Sequence, residues 1–284
     1  MFKSVDVVAR RFEEVQKVDA LVAVSTSVTL AATRATKSVP IVFYAGADAV
    51  SSGLIDSFRR PGGRLTGIHR QSTDLTAKRL ELLKEMVPTL RRVVTFYRPD
   101  NSVAQRSVKI ARDAARQLNL ELVERPVASV GDLRAGLRAL RPGEAEALFL
   151  VSDAMVSSQT ELLVEMARTK RLPTMVQDGA SVGSGALAAY GESFYTVGRL
   201  SAKHVQRILE GAKPGELPVE QVENVYFVIF AFSRSPWTFA VYRERLGSPR
   251  PKGLRTDHRG RSKMYSAVAT ATAHQNHAHE NDIP

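Results

Sequence analysis

Cysteine is absent from all 284 positions. That excludes disulfides, thiolate metal sites and a cysteine nucleophile, and fits a reducing or an oxidising compartment equally. Uninterrupted apolar runs of about 18 residues are also missing, so no segment reads as a bilayer-spanning helix. The opening MFKSVDVVARRFEEV has no apolar core of the secretory-signal kind, and the chain, made as written, is expected to stay in the cytoplasm. No internal repeat is present.

Against these absences stands a 44% apolar content, enough to bury a large core and to form two compact units. Net charge is +11, which raises nucleic-acid binding as a class. The charge is unevenly spread: residues 232–263 hold nine basic side chains against Glu244 and Asp257, leaving +7 of the +11 there. No helix-turn-helix, RNP or zinc-finger pattern accompanies residues 250–263, so a solvated charge run is the reading and nucleic acid is not an expected partner. His274, His277 and His279 lack a fixed fourth ligand, and no metal or cofactor is assigned.

Short apolar runs alternate with amphipathic segments up to about residue 230, the grammar of βα units and parallel sheets. Strands are expected at 19–24, 40–44, 92–97, 146–151, 173–177 and 186–190. Leu80, Leu83 and Val87 share one helical face; so do Val103, Ile110, Ala114 and Leu118, and Val197, Leu200, His204 and Ile208. Asp100, Asn101 and Ser102 can cap the second of these helices, while Gly211 and Pro214 close the third. Beyond residue 230 no period persists and bulky apolar residues thin out, so a weakly ordered tail is expected over 231–284.

In an open α/β sheet, ligands bind beyond the carboxyl ends of the strands, where loops lead into helix N-termini. Five exits qualify: Ser25-Thr26-Ser27, the loop from Tyr44 to Asp48, the loop from Arg98 to Asn101, Ser152-Asp153, and the loop from Gln177 to Gly179. The first interrupts DALVAVSTSVTLAA with three hydroxyls where a turn alone would use Gly, Asn or Pro. Helix amides beside Ser25, Thr26 and Ser27 suit a carboxylate or another anion, and Asp48, Asp153 or Asp178 can receive an ammonium group. Candidate ligand-binding residues are therefore Ser25, Thr26, Ser27, Gly46, Asp48, Asn101, Ser152, Asp153 and Asp178, expected to converge on one space between two lobes. Ordinary N-capping is the competing role for any one of these loops. An α/β hydrolase is the competing class: the stretch from Gly179 to Gly183 fits G-x-S-x-G with Ser181 as nucleophile, and His204 with Glu192 or Glu210 follows. The glycine-rich bend runs straight into the apolar stretch 186–190, which disfavours a nucleophile elbow, and the reading is non-enzymatic.

The segments VDALVAVSTSVTLAATRATKSVPIVF, AGADAVSSGLIDSFRRPGGRLTGI, KRLELLKEMVPTLRRVVTFYRP and ILEGAKPGELPVEQ together resemble a family. It is that of the ABC transporter substrate-binding proteins with the type I periplasmic-binding-protein fold, in the tryptophan/aromatic-amino-acid-binding-like group, and the likeness covers roughly residues 10–228. The resemblance implies an α/β protein of two Rossmann-like lobes with parallel sheets, closing on a small solute such as an amino acid or small organic acid. It further implies delivery to a membrane permease, a periplasmic location and no catalytic residue. On the resemblance, the family's Gly-Thr loop falls on Ser25 and Thr26 and its Gly-Asp-Pro loop on Ala47, Asp48 and Ala49, while Ser152 and Asp153 match a second-lobe loop. Serine in place of glycine removes room for close backbone approach, and the missing proline loosens the turn.

Lobe 1 is expected to comprise residues 1–69 and 190–213, lobe 2 residues 70–189 and 214–230, and a basic tail residues 231–284. Family members carry a signal peptide, then a strand, a helix and a second strand, before the point where this sequence starts. An incomplete first lobe is therefore expected, with an apolar edge left open at residues 20–24. A decayed, non-functional remnant is the further alternative to a working binding protein.

Overall fold

The computed structural model describes residues 2–222, 224–231 and 238–245. The chain opens with α1 (Phe2–Glu14), β1 (Leu21–Val24), α2 (Thr26–Ala35), β2 (Ile41–Ala45) and β3 (Leu65–His69). Four- and five-residue apolar runs bounded by turn residues are strand-length and too short for stable helices. β1 pairs with β2 and β2 with β3, all parallel. Gly67 lies opposite Phe43 in that register, and a Cβ on it would stand 1.9 Å from the Phe43 carbonyl oxygen, so the two strands can approach only at glycine. Glu13 fastens α1 to the loop before β2 by accepting the N–H groups of Lys37, Ser38 and Val39 at 2.8, 2.6 and 2.9 Å. Those donors hold its carboxyl down at about 2, so the fastening lasts until pH falls through that value.

The second sheet begins with α3 (Thr76–Met86), β4 (Arg92–Tyr97), α4 (Ser102–Gln117), β5 (Glu121–Pro126) and α5 (Val130–Ala139). It continues through β6 (Ala147–Phe149), α6 (Ala154–Ser157), α7 (Thr160–Thr169), β7 (Thr174–Val176), α8 (Ala180–Gly183) and β8 (Ala188–Glu192). Then come α9 (Phe194–Leu209), a 3-10 turn (Pro214–Glu216), β9 (Glu220–Gln221), β10 (Asn224–Ala231) and β11 (Thr238–Arg245). The strand orders are β1-β2-β3-β9 and β11-β10-β8-β7-β6-β4-β5. Both sheets are parallel except where β10 runs antiparallel to β8 and β11 antiparallel to β10.

Each sheet carries packing on both faces, as parallel sheets require, except at β1, where Val22 and Val24 stay exposed. Ala23, Ile41, Phe43 and Ala45 pack towards α1 and α2, while Val42, Ile68, Val197, Ile208, Leu217 and Val222 fill the face under α9. In the second sheet, Leu80, Leu83, Val93 and Phe149 build one core and Val94, Phe96, Leu133 and Leu137 the other. The buried stripe of α4 is Ala104, Ser107, Val108, Ala111, Ala114 and Ala115, rotated from the expected Val103–Ile110 face. Small side chains win that face because they let the helix axis approach the sheet.

Two expectations need correction. β11 lies inside the expected weakly ordered tail; it is a regular strand because β10, itself eight residues long, offers a full edge for pairing. The basic run at 250–263 and His274, His277 and His279 lie outside the described residues. The last passage between the sheets also falls later than expected: residues 214–221 stay with the first sheet, where β9 pairs with β3 and the Leu217 carbonyl accepts the Thr66 hydroxyl at 2.8 Å. Among the described residues β1 has only β2 as a strand partner, and Val22 and Val24 are 54% and 48% exposed.

Phe43 is fully buried in the first-sheet core. Phe43→Ala is expected to cost about 3–5 kcal/mol, read from the urea midpoint, with faster amide exchange in β1–β3 than in β4–β8.

Candidate functional site

The exits of strands from both sheets open on one cleft of about 820 Å³. It is lined by eight of the nine residues picked from sequence: Ser25, Thr26, Ser27, Gly46, Asn101, Ser152, Asp153 and Asp178. Asp48 is not among them. Its carboxylate turns back to accept the Ser51 N–H at 2.6 Å, which lowers its pKa and leaves it capping a turn.

Ser25 is the N-cap of α2 and stands at φ 84°, in the region that favours glycine. Its hydroxyl accepts from the Val28 N–H at 3.4 Å, and the Thr26 hydroxyl accepts from the Ala47 N–H at 3.4 Å, tying the exits of β1 and β2 together. Opposite, Asp153 is buried and saturated: one oxygen accepts from the Met155 and Val156 N–H groups at 2.9 and 3.0 Å, the other from the Arg98 N–H and the Asn101 amide at 2.9 and 3.5 Å. It borders the cleft yet has no lone pair to spare for an ammonium group, which corrects its expected role. Asn101 likewise caps α4 by accepting from the Val103 N–H at 3.1 Å. Capping therefore accounts for Asp48, Asn101 and Asp153, and the competing role wins at those three.

Asp178 is different. Half-buried beside the cleft, its carboxyl is pushed up by burial, against the opposing pull of the Ala180 and Ser181 N–H groups and the Arg70 guanidinium. Ser152 joins a small polar network: its hydroxyl lies 3.0 Å from that of Ser72, which donates to Gln177 Oε1 at 2.8 Å. Gly191 lets this network close, since a Cβ there would stand 2.2 Å from the Gln177 carbonyl oxygen.

Arg70, Ser72 and Phe194 also line the cleft and were not chosen from sequence; Tyr44 and Gln177 line it too, and lie in two of the expected exits without being among the nine candidates. Arg70 and Ser72 follow β3, whose sequence LTGIH is too broken by Thr66, Gly67 and His69 to read as an apolar run. The available signal was the Pro61-Gly62-Gly63 turn just before it. Phe194 opens α9 after the Ser193 cap, and its 42% exposure marks it as more than a core residue.

The hydrolase constellation does not assemble among the described residues. Ser181 sits inside α8 on the second sheet, and not at a strained turn. His204 is a buried residue of α9 that faces the first sheet, 3.4 Å from the Thr66 hydroxyl and 3.6 Å from Glu220. No group of His, Asp and Glu is placed to hold a metal, and no helix is long and apolar enough to cross a membrane, among the described residues.

With this geometry in place, comparison with known proteins is informative. The family model described as ABC transporter substrate binding protein matches residues 3–234. The chain belongs to that family. It is the solute-binding component of an ABC transporter, with the type I periplasmic-binding-protein fold, and captures a small solute between two lobes. A tyrosine-binding protein of Clostridioides difficile (strain R20291) is 26% identical over 248 residues, 87% of this chain and 69% of that protein. The crystal structure of a conserved domain protein from Vibrio cholerae matches with TM-score 0.71 and 27% identity, covering 81% of this chain and 76% of that one. A Streptococcus pneumoniae ABC domain in complex with L-Trp matches with TM-score 0.70 and 20% identity, covering 81% and 77%, and shares the fold.

The positive φ of Ser25 gives a direct test of strain in this substrate-binding protein. Ser25→Gly is expected to stabilise the solute-free chain by on the order of 1 kcal/mol, since such backbone outliers cost about 1–3 kcal/mol. A rise in Tm would register it.

Proposed function

We propose that the cleft takes an amino acid or a small organic acid and presents it to a membrane permease. The observation that carries this reading is the convergence of hydroxyl, amide and charged groups from both sheets on one space, with an acidic and a basic group on its walls. Asp178 supplies the acidic end for an ammonium group, and the amides and hydroxyls at α2 with the Arg70 guanidinium supply the opposite polarity. Tyr44 and Phe194 add an aromatic wall, and the likeness to a tyrosine-binding protein supports a solute with an aromatic side chain. The two sheets serve as cores of two lobes that close about the segments joining them. A location outside the cytoplasmic membrane fits the family.

Thermal-shift titration of the full chain against the common amino acids and small organic acids is the test. A true solute at about 100 times its dissociation constant stabilises the folded state by about 2.7 kcal/mol; flat responses to every compound would sink the reading. The raised pKa of Asp178 sets a pH signature. Its carboxylate is ionised only above that pKa, so affinity for an ammonium-bearing solute should weaken on acidification at a pH above the usual Asp value of about 3.9, and Asp178→Asn should abolish that dependence.

A further inference from the structure

Arg70 combines four features that capping and packing do not explain. It is 6% exposed, yet it borders the cleft. Its Nε and Nη2 both donate to one oxygen of Glu192, at 3.4 and 3.2 Å, so one edge of the guanidinium is taken. Its faces lie against Phe194 and Tyr44, with the guanidinium carbon 4.5 and 5.4 Å from the ring centroids. Tyr44 also shares a side-chain hydrogen bond with it. A guanidinium with one edge and its faces engaged can be approached only in plane, at its outer edge. That is the geometry a planar carboxylate meets with two parallel N–H donors.

The surrounding charge points the same way. Arg79 is fully buried and spends its donors on the carbonyls of Tyr190 and Ser72. Burial lowers its pKa to about 10, which leaves it protonated at neutral pH. Arg79 feels the charge of Glu192, the buried carboxylate that pairs with Arg70, so two buried cations face one buried anion and the trio carries an excess positive charge. A buried excess charge is costly unless an opposite charge joins it. Asp178, on the same cleft, feels the Arg70 charge, although burial pushes its carboxyl up overall.

We propose that Arg70 anchors a carboxylate of the solute through its outer edge, with Glu192 as the positioning residue that fixes the plane of the guanidinium. The cleft is then specific for carboxylate-bearing solutes over neutral polyols. This rests on the reading of the cleft as the solute site.

Calorimetric titration of the full chain tests it, with the twenty common L-amino acids, acetate, benzoate, succinate, D-glucose and D-ribose as probes. The tightest acid is then compared with its own primary amide. On the wild-type chain the amide should bind about 10- to 100-fold more weakly, the range for a charge-assisted hydrogen bond. Arg70→Met should cost the acid a similar factor and leave the amide unchanged, and Arg70→Lys should restore part of the loss. Glu192→Gln should weaken the acid more than the amide. Equal losses for acid and amide in Arg70→Met would make Arg70 a structural clamp and overturn the anchor while solute binding stands. Tighter binding of a sugar than of any acid would do the same. If Arg70→Met fails to fold, Arg70→Lys and Glu192→Gln carry the comparison: an acid-to-amide ratio unchanged from wild type in both overturns the anchor, and silence from every probe removes both the anchor and the solute-binding reading.

Discussion

A parallel strand delivers its chain to the same edge of the sheet as each of its neighbours, and that constraint governs the rest of this molecule. β1, β2 and β3 all end on one side of the first sheet, and β4, β6 and β7 all end on one side of the second. Facing the two edges towards each other gathers at least six loops around one space without any need for long insertions. The helices that follow turn their N-termini and capping side chains to the same space, so polarity concentrates where the apolar strands stop. The outer faces of both sheets are then left to packing alone.

Within that space the decisive distinction is between polar groups that are satisfied and polar groups that are not. Asp153, with four donors around it, is a structural carboxylate that holds the β4 exit, α4 and α6 in register. Asp178 and Arg70 keep capacity, and their charges are of opposite sign. A buried group in an apolar surrounding must find partners or lose its charge. The groups with capacity left over are therefore the ones that a ligand can serve, and counting donors around each atom separates them from the caps.

This explains which parts were legible in the sequence. The strands at 21–24, 41–45 and 92–97 are runs of aliphatic and aromatic residues with polar flanks, and hydrophobic pattern alone places them. The exits follow from the strands, so Ser25 to Ser27, Ser152 and Asp178 could be named in advance. β3 escaped because its interior glycine, imposed by the close approach to Phe43, breaks the apolar pattern that would announce it. With β3 went Arg70 and Ser72. Asp153 and Asp178 both draw on N–H groups two and three residues on; what fills Asp153 is the further pair of donors at Arg98 and Asn101, distant in sequence, which a linear pattern of residue types does not contain. β11 was obscured for a related reason: Thr238–Arg245 mixes charged and apolar residues, and only the partner edge of β10 makes it a strand.

The three passages between the sheets lie side by side. Val222 N–H donates to the His69 carbonyl at 3.4 Å, Val225 pairs with Glu192 across β10 and β8, and Arg70 meets Glu192. Adjacent connectors joined to one another by hydrogen bonds behave as a ribbon. A ribbon resists shear and torsion within its own plane, because either would slide hydrogen-bonded backbones past one another, but it folds readily about the line running across it. Arg70 and Glu192 sit on that line, where the chain passes from one sheet to the other. A charge arriving at that line needs no lever arm to be felt by both halves, whereas one bound at the rim of the cleft would have to act through the full width of a lobe.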